Sequence, residues 1–108
     1  MRPIDVRNLI RFNTRMGMFI CPSDRPNVLA FVHGYQYATA KKCRFTEPLS
    51  DHITRRRRVK ADAPGWPHQF ARLAERRGLE WMEVYLTVSS ELLNSAIDPP
   101  DKPIEAKR

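Results

Sequence analysis

The sequence is poor in glycine and cysteine and contains no long apolar run. Its 108 residues include only four scattered glycines, so the glycine-rich loop that cradles phosphates in many nucleotide-binding proteins is absent. Two cysteines, Cys21 and Cys43, are too few for a disulfide framework. One bridge between them is conceivable, but two reduced thiols are the simpler interpretation. No run approaches the roughly 20 apolar residues of a membrane span, so we expect no membrane partner.

Targeting signals are also lacking at the start of the chain. The first 20 residues have neither the continuous apolar centre nor the cleavage site of a secretory signal. The arginines at 2, 7, 11 and 15 give a faint presequence pattern, but Asp5 and the lack of serine argue against it. We therefore expect a cytoplasmic protein. A start at Met16 or Met18 would make residues 1–17 a separable N-terminal extension of a single helical domain spanning residues 1–97.

Positive charge predominates in the composition. Nineteen Lys and Arg face twelve Asp and Glu, which gives a formal net charge of +7. This balance favours an acidic partner, such as nucleic acid, an anionic membrane surface or an acidic protein, although a solubilising surface explains it equally well. An apolar fraction of 42% is typical of a folded protein, and the length suits one domain with one modest core.

Apolar periodicity predicts a mainly α-helical fold, a compact bundle of four or five helices. A short first helix fits residues 4–15, and a brief strand or an extended segment fits residues 19–21. The strongest pattern follows, at i, i+3, i+4, i+7 and i+10, in Val28, Phe31, Val32, Tyr35 and Ala38. Ser23 or Asp24 can cap this helix, and Gly34 within it suggests the close approach of another backbone.

The second half of the chain predicts further helices. Thr46 can cap a helix that runs about fifteen residues, through the arginines to Lys60, and residues 61–65 form a loop. Trp66 and Pro67 open the next helix, which Gly78 is placed to end in the left-handed conformation. The last helix spans residues 80–97, with an inward face of Trp81, Val84, Tyr85 and Val88. The segment VYLTV at 84–88 also suits a strand. Residues 98–108 are predicted to be a disordered tail.

No arrangement of side chains predicts catalysis or metal binding. His33, His52 and His68 do not stand at HExxH spacing or beside a recognisable nucleophile motif. Cys21, His33, Cys43 and His52 could converge in space, but no CxxC or HxxxH pair supports a metal site. We therefore predict a protein that is not an enzyme and holds no metal or cofactor.

A basic cluster supplies the candidate binding residues. Eight cations fall within residues 41–60, namely Lys41, Lys42, Arg44, Arg55, Arg56, Arg57, Arg58 and Lys60. Four consecutive arginines fan through about 300° of a helix, so they wrap a helix end rather than line one face. A solvated helix terminus would explain this pattern, since cations suit the negative end of a helix. A binding site for an acidic partner would also explain it, because guanidinium grips carboxylate and phosphate bidentately.

A helix-turn-helix spacing is present within residues 70–86, in Ala74, Gly78, Leu79 and Val84. Together with the basic charge it suggests DNA binding. The first turns of the second helix instead offer Glu80, Trp81, Met82, Glu83 and Tyr85, where base recognition normally uses Arg, Lys, Asn or Gln. Residues 66–98 also carry three arginines against five acids. We therefore interpret the segment as an ordinary helical hairpin with at most weak, non-specific affinity for nucleic acid.

Two segments resemble small bacterial immunity proteins, which neutralise a toxin made by the same or a sister cell. They are NVLAFVHGYQYAT at 27–39, with Phe31, Gly34, Tyr35 and Ala38, and GWPHQFARLAERRGLEW at 65–81, with Gly65, Trp66 and Gln69. The resemblance covers about a third of the chain and implies a protein that binds one cognate toxin and blocks its active site or its movement. Many such proteins are acidic, whereas this chain is basic, so a toxin with an acidic surface fits best.

These observations lead to one main hypothesis and one alternative. The main hypothesis is a non-enzymatic immunity protein whose basic cluster contacts an acidic toxin. The alternative is a small helix-turn-helix-like regulator that binds nucleic acid.

Overall fold

The chain forms a bundle of five α-helices, which confirms the predicted fold class; the coordinates are a computed structural model that describes residues 1–97. The helices are α1 (Pro3–Thr14), α2 (Arg25–Ala38), α3 (Thr46–Arg57), α4 (Trp66–Arg77) and α5 (Trp81–Ile97), with a 3₁₀ turn at Met16–Met18. The segment VYLTV is helical within α5. The predicted tail at 98–108 lies outside the described residues.

The short strand expected at residues 19–21 does not form. The backbone N–H groups of Phe19 and Ile20 both donate to the Met16 carbonyl, so this segment continues the 3₁₀ turn. The Phe19 ring packs edge-on against Phe12 and Phe31, with centroids 5.8 and 5.7 Å away. No strand occurs anywhere in residues 1–97, so nothing is available there to pair with an extended segment.

Helix α5 lies at the centre of the bundle and packs against α1, α3 and α4. Its Val84, Tyr85, Val88 and Leu93 are buried. The predicted stripes on α2 and α5 share this core, with Phe31, Tyr35 and Trp81 partly buried, but Ala38, the last residue of the α2 stripe, is exposed. The other buried apolar residues include Val6, Leu9, Phe12, Val28, Val32, Phe45, Leu49, Ile53, Val59, Phe70 and Leu73. The most apolar helix is thus the central one.

Helix α1 is an integral part of this core. Val6, Leu9 and Phe12 are buried, and Asn13 Nδ2 donates to Ser89 Oγ of α5 at 2.9 Å. Asp5 is also fully buried, and its carboxylate accepts hydrogen bonds from Arg2 and from the Tyr35 hydroxyl of α2.

The helix ends differ in part from the sequence-based expectations. Asp24 caps α2 through the Asn27 N–H at 3.2 Å, and Gly78 ends α4 with φ +68°, both as predicted. Thr46, in contrast, does not cap α3 but is its first residue. The carboxamide of Gln36 in α2 supplies the cap from outside, since its Oε1 accepts from the N–H groups of Phe45 and Thr46 at 2.6 and 2.8 Å.

Gly34 does not make the close backbone approach that its place in α2 suggested. A Cβ atom built there would meet nothing within 4 Å, and the residue is exposed. Gly34 therefore lies on the outer side of its helix rather than at a crossing point.

Candidate binding surfaces

Gln69, in the first turn of α4, is fully buried and ties α4 to the C-terminal half of α3. Its Nε2 donates to the Val59 carbonyl and to Thr54 Oγ1, both at 3.0 Å, while its Oε1 accepts from the Ser50 hydroxyl. α3 ends at Arg57, and Arg58 then takes the left-handed conformation with φ +57°, which turns the chain so that Val59 is buried. The helix is therefore twelve residues long and stops before Lys60, where the sequence predicted it to continue.

This junction brings arginines of α4 to the arginine run of α3. Arg76 Nη2 donates to the Arg57 carbonyl at 2.7 Å, and Arg72 Nη1 donates to the Lys60 carbonyl at 3.1 Å. We call the combined region the α3–α4 basic surface; it comprises Arg55, Arg56, Arg57, Arg58, Lys60, Arg72, Arg76 and Arg77. Sequence reasoning missed its α4 members because it counted them with the acids of residues 66–98.

Three of these arginines hold the fold together. Arg57 Nη2 lies 2.6 Å from Glu91 Oε2 of α5, and its side chain is only 19% exposed. Arg72 pairs with Asp62 at 3.0 Å, and Arg76 binds the α3 carbonyl described above. Neither interpretation of the arginine run, a solvated helix end or a binding site, foresaw that Arg57 is paired within the fold.

The remaining five cations project into solvent. Within residues 1–97 their side chains make no ion pair; they are Arg55, Arg56, Arg58, Lys60 and Arg77. At the C-terminus of α3 the Arg57 carbonyl already accepts from Arg76, and Arg57 and Arg72 are paired with carboxylates. These five cations are therefore a surplus that can bind anions.

Glu91 is the carboxylate that neutralises part of this region. The hydrogen bond from Arg57 holds its pKa below the ordinary value, and the contact with His52 Nε2 at 3.1 Å acts in the same direction. Glu91 therefore stays ionised and keeps Arg57 engaged at neutral pH. The surplus cations lie beyond the reach of this pair.

The other predicted binding residues, Lys41, Lys42 and Arg44, lie at the opposite end of α3. They are exposed, and Arg44 pairs with Glu47 at 2.8 Å. α3 is about 18 Å long, so the structure does not bring the two halves of the predicted cluster together. Near this end is an open groove of about 490 Å³, lined by His33, Gln36, Tyr37, Lys41, Cys43, Arg44, Thr46 and Glu47.

The helical hairpin formed by α4 and α5 uses the would-be recognition residues for packing. Trp81 Nε1 donates to the Pro67 carbonyl at 2.9 Å, and Tyr85 is fully buried. Glu83 Oε1 accepts from the Glu80 N–H at 2.9 Å, which caps the start of α5. The side chains left exposed in this first turn are both glutamates, which repel phosphate.

The histidines and cysteines singled out in the sequence have structural neighbours rather than reactive ones. His52 contacts Glu91, His68 Nδ1 lies 2.9 Å from Asp62, and His33 lies beside Trp66. Both cysteines are free thiols, and burial raises the pKa of Cys43 to about 11, which disfavours the nucleophilic thiolate. Across residues 1–97 no three His, Cys, Asp or Glu side chains are grouped so that they could hold a metal ion.

A second basic feature lies on the solvent side of α1, whose other side is packed in the core. Arg7, Arg11 and Arg15 lie four residues apart on its solvent side and line a shallow groove with Ile10 and Thr14. We call these three residues the α1 arginine stripe. Their i, i+4, i+8 spacing is a sequence signal for one helix face, but we had considered it only as a targeting pattern.

Comparison with protein-family models, with curated proteins and with solved structures found no match. The immunity-protein resemblance therefore stays a prediction. Its residues have structural tasks here: Trp66 and Gln69 are buried, and Gly65 has φ +87°. None of the helices in residues 1–97 has the length and apolar character needed to cross a bilayer.

Proposed function

We propose that this chain is a non-enzymatic binding protein of the immunity type, which neutralises a cognate toxin by binding an acidic surface on it. The observation that carries the proposal is the surplus of five solvent-exposed cations on the α3–α4 basic surface. Because Arg57, Arg72 and Arg76 already serve the fold, these five add charge that folding does not require.

The backbone at Arg58 supports a binding role for this surplus. A non-glycine residue in the left-handed region costs about 1–3 kcal/mol, and glycine is the ordinary choice just after a helix. Stability alone therefore favours glycine at position 58, yet the chain carries an arginine there. Its guanidinium is well suited to bind a carboxylate with two parallel hydrogen bonds.

A rigid base makes the surface suitable for one defined partner. Buried Gln69 fixes α3 to α4, and the Arg57–Glu91 pair fixes α3 to α5. Exposed charges in such a setting chiefly raise the association rate, whereas charges that become desolvated in the complex slow dissociation. The toxin as partner rests on the sequence resemblance, and a cytoplasmic location belongs to the same proposal.

The alternative function is a regulator that binds nucleic acid, and a DNA titration distinguishes it from the immunity proposal. The acidic first turn of α5 argues against insertion of this helix into a major groove, so we expect weak and non-specific binding to duplex DNA. Binding to random and genomic-operator duplexes would be measured at roughly 50 and 200 mM salt. Tight, sequence-selective binding that survives the higher salt would contradict the immunity proposal.

The proposal is tested by reversing charge at three surplus positions. The variant Arg55→Glu/Arg56→Glu/Arg77→Glu spares Arg57, whose replacement would break a pair within the fold. The partner is first captured with the tagged wild-type chain, purified and shown to lose its toxicity when bound. We expect the variant to bind this purified toxin at least tenfold more weakly, which is about 1.4 kcal/mol.

A matched control is provided by Arg7→Glu/Arg11→Glu/Arg15→Glu, which makes the same charge change on α1. Circular dichroism verifies that both variants fold, as expected for exposed charges that contribute little to stability. Unchanged toxin affinity in the α3–α4 variant, or an equal loss in the α1 variant, would contradict the assigned surface.

A further inference from the structure

The α1 arginine stripe is a linear array of cations on a helix face that nothing in the described structure covers. Arg7 and Arg11 lie about 6 Å apart along the axis of α1, and Arg15 is the residue that caps the C-terminus of the helix, with its N–H on the Arg11 carbonyl. All three are exposed, and none makes an ion pair within residues 1–97. The array is therefore free to bind an extended anion.

The exposed face of α1 carries no compensating acid. Asp5 is the only carboxylate of the helix, and it is fully buried, where it accepts from Arg2 Nε at 2.7 Å and from the Tyr35 hydroxyl at 2.6 Å. The hydrogen bond from Arg2 keeps the pKa of this carboxyl below its ordinary value, so its charge is held inside the fold. The stripe thus presents uncompensated positive charge to solvent.

An aromatic residue follows the stripe in the chain. Phe19 comes four residues after Arg15, directly after the 3₁₀ turn, and is 45% exposed. It makes T-shaped contacts with Phe12 and Phe31, so the ring is held against the core with part of its surface in solvent. A row of cations followed by a fixed, partly exposed aromatic ring is the combination that single-stranded nucleic acid recognition uses, with phosphates on the cations and a base on the ring.

We propose that α1 and Phe19 form a binding site for single-stranded nucleic acid, with Arg7, Arg11 and Arg15 on successive phosphates and a base stacked on Phe19. Arginine suits this task because its planar guanidinium binds phosphate oxygens bidentately. The site is separate from the α3–α4 basic surface and does not depend on the toxin proposal. It also needs no helix inserted into a groove, which distinguishes it from helix-turn-helix binding.

An anionic membrane is the competing polyanion, and the packing of Phe19 argues against it. Insertion into lipid requires apolar side chains that project freely, whereas the Phe19 ring is held by Phe12 and Phe31. Met1, Ile4 and Met18 are the other exposed apolar residues of this region, and they stand at the two ends of α1 rather than in a row along it. The apolar residues along the length of α1, Val6, Leu9 and Phe12, are buried in the core.

The experiment measures binding of the full chain to fluorescent oligouridylate and oligodeoxythymidylate as a function of salt. Each phosphate contact contributes about 0.7 to the slope of log affinity against log salt for a single strand. We expect a wild-type slope of about −2 or steeper, and a slope smaller by about 2 in Arg7→Gln/Arg11→Gln/Arg15→Gln. The control Arg55→Gln/Arg56→Gln/Arg77→Gln removes the same charge and should leave the slope nearly unchanged.

The stacking step is tested by Phe19→Leu, which keeps an apolar side chain against Phe12 and Phe31 but removes the aromatic face. We expect at least about a fivefold loss of affinity with no change in the salt slope, since loss of a stacked base is a non-ionic effect. Should the triple variant fail to fold, the single variant Arg11→Gln, expected to change the slope by about 0.7, replaces it.

Three outcomes would overturn the proposal. Equal slope changes in the two triple variants would show that net charge alone attracts the strand. Tighter binding to a duplex of the same length would show that no unstacked base is used. Binding to phosphatidylserine vesicles that depends on the stripe, without binding to either oligonucleotide, would assign the face to a membrane surface.

Discussion

Replacing Gln69 with leucine tests how the α3–α4 basic surface is held in place. The substitution keeps the size of the side chain but removes its donors to the Val59 carbonyl and Thr54 Oγ1 and its acceptor for Ser50. A buried polar group left without a partner costs about 1–3 kcal/mol. The Val59 carbonyl carries this penalty in full, because its hydrogen bond lies in the buried part of the network.

The two hydroxyls add a smaller cost because they are only partly buried. We expect a total loss of about 2–4 kcal/mol in the free energy of unfolding, against a typical domain stability of about 5–15 kcal/mol. The thermal midpoint should fall by about 4–8 °C for each kcal/mol. Urea unfolding followed by circular dichroism measures the change.

The control for this prediction is Glu75→Leu, an exposed position on the same helix. It should change stability by no more than about 0.5 kcal/mol. A Gln69→Leu variant as stable as the wild type would show that the buried carboxamide does not tie α4 to α3.

Three further predictions concern the core, the end of α3 and the acid stability. Val88→Ala should destabilise by about 1–3 kcal/mol through lost burial and a cavity, and an unchanged urea midpoint would show that the inward face of α5 is misassigned. Arg58→Gly should leave the thermal midpoint unchanged or raise it, since it relieves the left-handed backbone; a clear fall would mean that the side chain supports the fold. The hydrogen bond from Arg2 lowers the pKa of Asp5. The ionised Asp5 carboxylate therefore stabilises the fold above about pH 4, and this stabilisation is lost as the pH falls through the lowered pKa. In Asp5→Asn the free energy of unfolding should fall less steeply with decreasing pH, and a fall as steep as that of the wild type would contradict this role.

The helices were predictable because their signals are local. The spacing of Val28 and Val32 on α2, and of Val84 and Val88 on α5, requires only a helix with one buried face. Gly78 could be assigned because a left-handed helix end is a property of a few consecutive residues. The start of α3 was different, since its cap comes from Gln36, nine residues before Phe45 and in another helix.

The composition of the basic surface could not be read from the sequence for a similar reason. Arg76 reaches the carbonyl of Arg57 across nineteen residues, so the two arginine groups meet only through the packing of α3 on α4. Arg57 was expected in solvent because its partner Glu91 lies thirty-four residues away. The positions of the arginines and lysines are visible in the sequence. Tertiary contacts decide which of these side chains pair within the fold and which remain exposed for a partner.

The α1 arginine stripe shows the opposite case, a signal that was present but misinterpreted. Its four-residue spacing predicts one exposed helix face whatever the fold, and only the burial of Phe12 was needed to orient that face.

An NMR titration of the chain with its purified toxin, followed through backbone amides and arginine Nε–Hε signals, locates the surface that holds the partner. We expect the largest changes at Arg55, Arg56, Arg58, Lys60 and Arg77, with the α1 arginine stripe nearly unaffected. Changes confined to the groove near Tyr37, or to α1, would contradict the assignment of the α3–α4 basic surface as the site that holds the partner.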